Sequence, residues 1–173
     1  MYPWPDLRPI LKGIPWAIVG GVATRAYMPE RATNDLDILI HRQDSDKVWE
    51  RLEAAGYRRV STLSIPGFLA RSPEGVELDV ILGDYPWMDE ALAHPRKDPA
   101  GYPVLDLPFL VLMKMAASRG QDFGDLTRML GLASKEELER VREVVSRYVP
   151  DEIDDLESLI YLGQVEMGKR AKT

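Results

Sequence analysis

Three aspartates and a pair of glycines are the residues of this sequence best suited to chemistry. Asp35 and Asp37 lie two apart in the run DLDILIH, residues 35–41, which alternates in part and is rich in Leu and Ile, as strands are. Side chains at i and i+2 of a strand share a face, so both carboxylates aim at one spot while Leu36 and Ile38 turn to the core. Two like charges held so close repel each other unless they share a cation. Mg²⁺, a hard and oxygen-seeking ion, suits carboxylates together with substrate phosphates. Asp79 sits inside VELDVIL between Leu78 and Val80. A charge in so apolar a β-run costs stability and needs a reason. If that strand pairs beside 35–41, all three acids meet. Gly20-Gly21 follow the short apolar run PWAIV at 15–19. Without side chains there, backbone N–H groups can approach a phosphate, and a helix N-terminus favours an anion. The pair fits neither the GxGxxG nor the GxxxxGK[ST] pattern, which disfavours dinucleotide and P-loop readings.

The elements that position these residues are legible in outline. PWAIV reads as a buried strand and GVATRAYM, 21–28, as a helix ended by Pro29. ERATN is a polar loop. Ser45–Ala55 reads as an amphipathic helix stopped by Gly56, and YRRVSTL as a weak strand. Pro73-Glu74-Gly75 between FLARS and VELDVIL is a hairpin signal. Residues 83–101 read as an irregular connection with one short helix and a basic HPRK patch. Beyond Leu107 the spacing becomes helical, and Ser134 with Glu137 three residues on forms a capping box. The chain is thus expected to be α/β, a small mixed sheet with helices over about 1–104, followed by a helical region over about 105–173.

With 173 residues and 45% apolar side chains, the chain is long enough for a sizeable core and too apolar for disorder. The 28 acidic and 22 basic side chains give a net charge of −6, which argues against non-specific coating of nucleic acid. It leaves room for a local basic rim from Arg58, Arg59, Arg71 and HPRK. There is no Cys, which excludes disulfides, iron–sulfur clusters and thiol nucleophiles. His41 and His94 are the two imidazoles, and no HExxH pattern exists. No apolar run reaches the roughly 20 residues of a membrane helix or forms a signal peptide, so a cytoplasmic protein without a membrane partner is expected.

Gly20-Gly21, then Asp35-Leu36-Asp37, then Asp79 resembles the signature of the nucleotidyltransferase superfamily that includes DNA polymerase β. ERATNDLD is similar to the Arg-x-Thr-x-Asp-x-Asp of its small bacterial members, among them aminoglycoside and lincosamide nucleotidyltransferases and AbiEii-type toxins. LVLMKMAASRGQDFGDL is similar to their helical part. The resemblance covers about residues 14–131. It implies a nucleotidyltransferase fold and transfer of a nucleoside monophosphate, with ATP among the NTP donors, to an acceptor hydroxyl on a small molecule, tRNA or protein. It implies Mg²⁺ or Mn²⁺ as cofactor, with Asp35, Asp37 and Asp79 as catalytic metal ligands in a two-metal mechanism. Nucleotide-binding residues would be Gly20, Gly21, Arg25, Arg31, Thr33 and Lys114. Lys114 lies in a helix apolar nearly all round, so it either snorkels or faces a cleft, and the cleft is favoured. Asp125 is read as a solvated acid, and Asp122 as either an N-cap or a base near the acceptor. The alternative function is a catalytically silent binding module of the same fold, such as one half of a toxin–antitoxin pair. A phosphohydrolase using the same metals is a third reading.

Overall fold

The apolar residues WAIV form β1 (Trp16–Val19), and all four are buried. The computed structural model describes residues 4–29, 32–117 and 119–169. The chain divides into two compact units, Met1–Ala26 with Glu30–Leu105, and Tyr27–Pro29 with Asp106–Thr173. The first is built on a mixed sheet and the second is helical, the α/β class expected from the sequence.

After β1 comes a single helical turn, α1 (Gly20–Ala23), which continues as a 3₁₀ turn over Thr24–Ala26. The helix expected over 21–28 is therefore shorter and tighter than its composition suggests. Thr24 donates its hydroxyl to the Gly21 carbonyl at 2.8 Å, a local bond that competes with a longer helix. β2 (Asp35–His41) runs antiparallel to β1. Next come α2 (Ser45–Ala54), β3 (Arg58–Thr62), β4 (Gly67–Arg71) and β5 (Glu77–Gly83). Then follow α3 (Met88–Ala93) and two short strands, β6 (Arg96–Lys97) and β7 (Pro103–Val104). The spatial order among the described residues is β3-β4-β5-β2-β1-β7-β6.

The strands β2 and β5 lie side by side and parallel in the middle of the sheet. β4 turns into β5 through Pro73-Glu74-Gly75. Gly75, at φ 88°, donates its N–H to the Ser72 carbonyl at 3.0 Å, and Ser72 donates to Val76 at 2.9 Å. Leu36, Ile38, Leu78 and Val80 alternate onto the face covered by α2, where Trp49 meets Phe68 edge-on at 5.8 Å. The opposite face receives the polar members of the same strands.

The helical unit contains α4 (Leu107–Ala117), α5 (Gly120–Leu132), α6 (Lys135–Tyr148) and α7 (Ile153–Glu166). Ser134 caps α6 by accepting from the Glu137 N–H at 3.1 Å and donating its own N–H to the Glu137 carboxylate at 2.9 Å. α5 and α7 touch through their backbones: a Cβ on Gly131 would lie 2.3 Å from the Gly163 carbonyl oxygen. No helix among the described residues is long and apolar enough to cross a membrane.

Candidate active site

Sheet register brings the acids together. Asp37 on β2 is the direct partner of Asp79 on β5, and Asp35 is the partner of Glu77. In a parallel pair, register partners present their side chains on the same face, and the period of two adds Asp35 to Asp37. Asp35, Asp37 and Asp79 each offer one carboxylate oxygen, and these oxygens all lie within 4.8 Å of one another. All three residues are half-buried. Thr33 donates its hydroxyl to Asp35 Oδ1 at 2.8 Å, fixing that carboxylate from the preceding loop.

Gly20 closes the site from the β1 side. It has φ +63°, and a Cβ there would sit 2.0 Å from Asp37 Oδ2. Only a residue without a side chain fits both the left-handed backbone and the carboxylate beside it. Gly21 follows as the second residue of α1.

The electrostatics match the crowding. Burial pushes the Asp79 carboxyl above its ordinary value, and the charges of Asp35 and Glu77 push it further the same way. Three half-buried carboxylates that repel one another form an all-oxygen donor set. That set fits a hard divalent cation, and Mg²⁺ in particular is bound by a few carboxylates plus substrate phosphates.

The chain matches no protein-family model and no curated protein sequence. Its fold is similar to that of the antibiotic-resistance factor ANT(2'')-Ia in solution, with a TM-score of 0.50 at 15% identity over 94% of this chain and 91% of that one. The chain has the nucleotidyltransferase fold. The lincosamide antibiotic adenylyltransferase LnuA, in its lincomycin-bound crystal structure, is also similar at a TM-score of 0.45 and 16% identity, covering 82% of this chain and 91% of that one.

Within this nucleotidyltransferase fold the other expected site residues are placed as follows. Arg25 directs Nε and Nη2 at Asp98 Oδ2, at 3.1 and 2.6 Å, and both side chains are buried. Asp98 in turn accepts the N–H groups of Ala100 and Tyr102 at 2.9 Å each, so this pair ties the 3₁₀ turn after α1 to the β6–β7 turn. Arg31 lies outside the described residues. Lys114, in the helical unit, is buried. Its ammonium donates to Asp122 at 3.1 Å and to Asp125 at 2.7 Å, with side-chain exposures of 5%, 5% and 3%. Asp125 is therefore not the solvated acid its helical spacing suggested. It is one of two carboxylates on α5 that face the lysine of α4.

One residue on the acid face escaped the sequence reading, and a second was grouped only with the basic rim. Glu77 stands two residues before Asp79, and Arg71 on β4 donates to it at 2.8 Å. The signal for Glu77 was present, since VELDVIL places it on the same strand face as Asp79. The signal for Arg71 required the pairing of β4 with β5. The basic rim also resolves differently from expectation. Arg59 lies over the Phe68 ring at 4.3 Å, on the α2 face, and Arg96 and Lys97 form β6 at the opposite end of the sheet. Of that group, Arg58 and Arg71 share the face of the acids.

Proposed function

We propose that this protein is a metal-dependent nucleotidyltransferase that moves a nucleoside monophosphate from an NTP to an acceptor hydroxyl. The observation that carries the reading is the convergence of Asp35, Asp37 and Asp79 within 4.8 Å, closed by Gly20, in this fold.

Asp35, Asp37 and Asp79, whose carboxylate oxygens converge, would hold the divalent ions. Bound there, Mg²⁺ or Mn²⁺ neutralises phosphate charge and lowers the pKa of the attacking hydroxyl. Gly20 makes room for the Asp37 carboxylate, and Gly20 and Gly21 would offer backbone N–H groups to a phosphate. Thr33 keeps the Asp35 carboxylate oriented. The acceptor oxygen forms a bond to the α-phosphorus, the bond from that phosphorus to the bridging oxygen breaks, and pyrophosphate leaves. The hydroxyl proton passes to solvent. Little covalent chemistry is asked of the protein, because positioning and charge neutralisation dominate phosphoryl transfer.

All three acids are present and converge, which weighs against a silent member of the fold. The test is incubation with α-labelled NTPs and Mg²⁺ and a panel of hydroxyl acceptors. Pyrophosphate release with a labelled acceptor, absent from Asp37→Asn, is the expected result. Labelled free nucleoside monophosphate with no labelled acceptor would make the protein a hydrolase instead.

A further inference from the structure

The face that bears the three acids does not end at β5. In register across it stand Arg58 on β3, Arg71 on β4, Glu77 on β5 and Asp35 on β2, one after another. Adjacent strands are about 4.8 Å apart, so Arg71 is rooted about 10 Å from Asp35 and Arg58 about 14 Å. Like charges directly opposite on neighbouring strands destabilise a sheet. Arg58 and Arg71 are such a pair: they are register partners, and both residues are exposed.

The two arginines are differently engaged. Arg71 places Nη2 on Glu77 Oε1 at 2.8 Å, with side-chain exposures of 49% and 45%. A guanidinium has five N–H donors, so one bond to Glu77 leaves most of them available. Arg58 forms no ion pair among the described residues and is exposed. Beside Arg71 and Glu77 opens a groove of about 770 Å³, lined also by Trp4, Thr33, Asn34 and the Gly75-Val76 turn. Thr33, in the lining of this groove, is the residue that bonds Asp35.

We infer that Arg58 and Arg71 form an acceptor subsite for a phosphate group carried by the molecule whose hydroxyl reacts. The inference rests on the nucleotidyltransferase reading above for the reacting hydroxyl. With divalent ions and a triphosphate neutralising the acids, the charge left on the β3–β4 side of the face is the arginine pair. A planar guanidinium pairs with phosphate in two parallel hydrogen bonds, and a second one a strand away lets both grip one group. The same pair repels a polycationic acceptor. The groove beside Arg71 is large enough to seat a ring or sugar, with Trp4 in its lining.

Two probes separate the sources of such a phosphate. One is a 5′-fluorescein pentaribonucleotide with a free 3′-hydroxyl, followed by anisotropy. The other is ribose 5-phosphate with ribose as its uncharged control, followed by calorimetry. Each is titrated into the full-length protein, Arg58→Gln and the Arg58→Gln/Arg71→Gln double variant. NTP binding in Mg²⁺ is measured on the same samples. The expected result is binding of at least one phosphate probe, weakened roughly 10–100-fold in the double variant, as for loss of charged hydrogen bonds. The salt dependence should also flatten by about one unit of slope. NTP binding stays as in the parent. Binding of the oligonucleotide alone points to a nucleic-acid end, and binding of ribose 5-phosphate alone to a small sugar phosphate. No binding of either probe, or equal binding by parent and double variant, overturns the subsite. Loss of NTP binding in Asp37→Asn is measured separately. If the parent binds no NTP while the arginine variants still lose the phosphate probe, the nucleotidyltransferase reading fails and the anion subsite stands.

Discussion

A Cβ atom on Gly20 would stand 2.0 Å from Oδ2 of Asp37. The glycine is therefore part of the carboxylate site and not merely a turn between β1 and α1. Its φ of +63° adds a backbone cost of about 1–2 kcal/mol for any residue with a side chain. Gly20→Ala should lower the melting temperature by roughly 2–8 °C for a chain of this size. It should also push Asp37 aside. A displacement of about 1 Å at a reacting centre costs roughly 10²-fold in rate. Thermal melts and pyrophosphate release on the same preparation check both. A variant that melts early but turns over normally would leave Gly20 a purely structural residue.

Asp37 and Asp79 face each other across β2 and β5, so their repulsion destabilises the metal-free protein. Asp37→Asn removes one charge at nearly constant volume. Its metal-free form should melt at or above the parent's temperature. Mg²⁺ at ten times its Kd should stabilise the parent by about 1.4 kcal/mol, a rise of roughly 3–6 °C, and should do little for the variant. Equal Mg²⁺ shifts in the two proteins would remove Asp37 from the ligand set.

The acids were legible in the sequence because a strand repeats every two residues, so Asp35, Asp37 and the run around Asp79 declare their faces without knowledge of the fold. Partners far apart in sequence declared nothing. Arg25 finds Asp98 across 73 residues, and only the placement of β7 beside β1 makes that meeting possible. Lys114 in an apolar helix suggested a snorkelling side chain or, preferably, a cleft, and not a buried pair. The deciding acids lie 8 and 11 residues downstream on the next helix, and the short link between α4 and α5 brings them to it. The arginines were grouped by composition, but strand alternation and strand order divided them among two faces and two ends of the sheet.

Tyr57 is buried, and its hydroxyl has no hydrogen-bond partner among the described residues. An unsatisfied buried hydroxyl costs about 1–3 kcal/mol, so Tyr57→Phe should melt at or above the parent's temperature at pH 7. Burial, with a smaller push from Glu74, raises this phenol from 10.0 to about 12. The folded state holds the proton where the unfolded chain loses it. Stability from this group is thus full below pH 10 and is lost as pH rises from 10 toward 12. The gap between Tyr57→Phe and the parent should widen over that window in melts taken at successive alkaline pH values. A variant less stable than the parent at pH 7 would mean that the hydroxyl has a partner after all.

Lys114, Asp122 and Asp125 form a buried charge cluster, and its removal should be felt in stability. Lys114→Met keeps the bulk but removes the cation that Asp122 and Asp125 share, leaving Asp122 its bond from Arg119. Breaking a buried pair in this way costs about 3–5 kcal/mol, a melting drop of more than about 6 °C here. The pH dependence separates charge from packing. Burial works to raise the Asp122 carboxyl, but hydrogen bonds from Arg119 and Lys114 outweigh it and hold the group below the ordinary carboxylate range. In the parent this contribution is full above the unfolded value of about 4 and is lost as pH falls through the lower folded value. Without Lys114 the effect of burial gains ground, so the carboxyl takes up its proton at higher pH and the penalty disappears with it. The melting gap between parent and Lys114→Met should therefore be largest near pH 7 and should shrink as pH falls toward 4. Adding Asp122→Asn and Asp125→Asn to the variant should recover part of the loss at pH 7. A gap that stays constant with pH would assign Lys114 a packing role alone. A variant as stable as the parent that binds NTP weakly would instead place the lysine at the nucleotide.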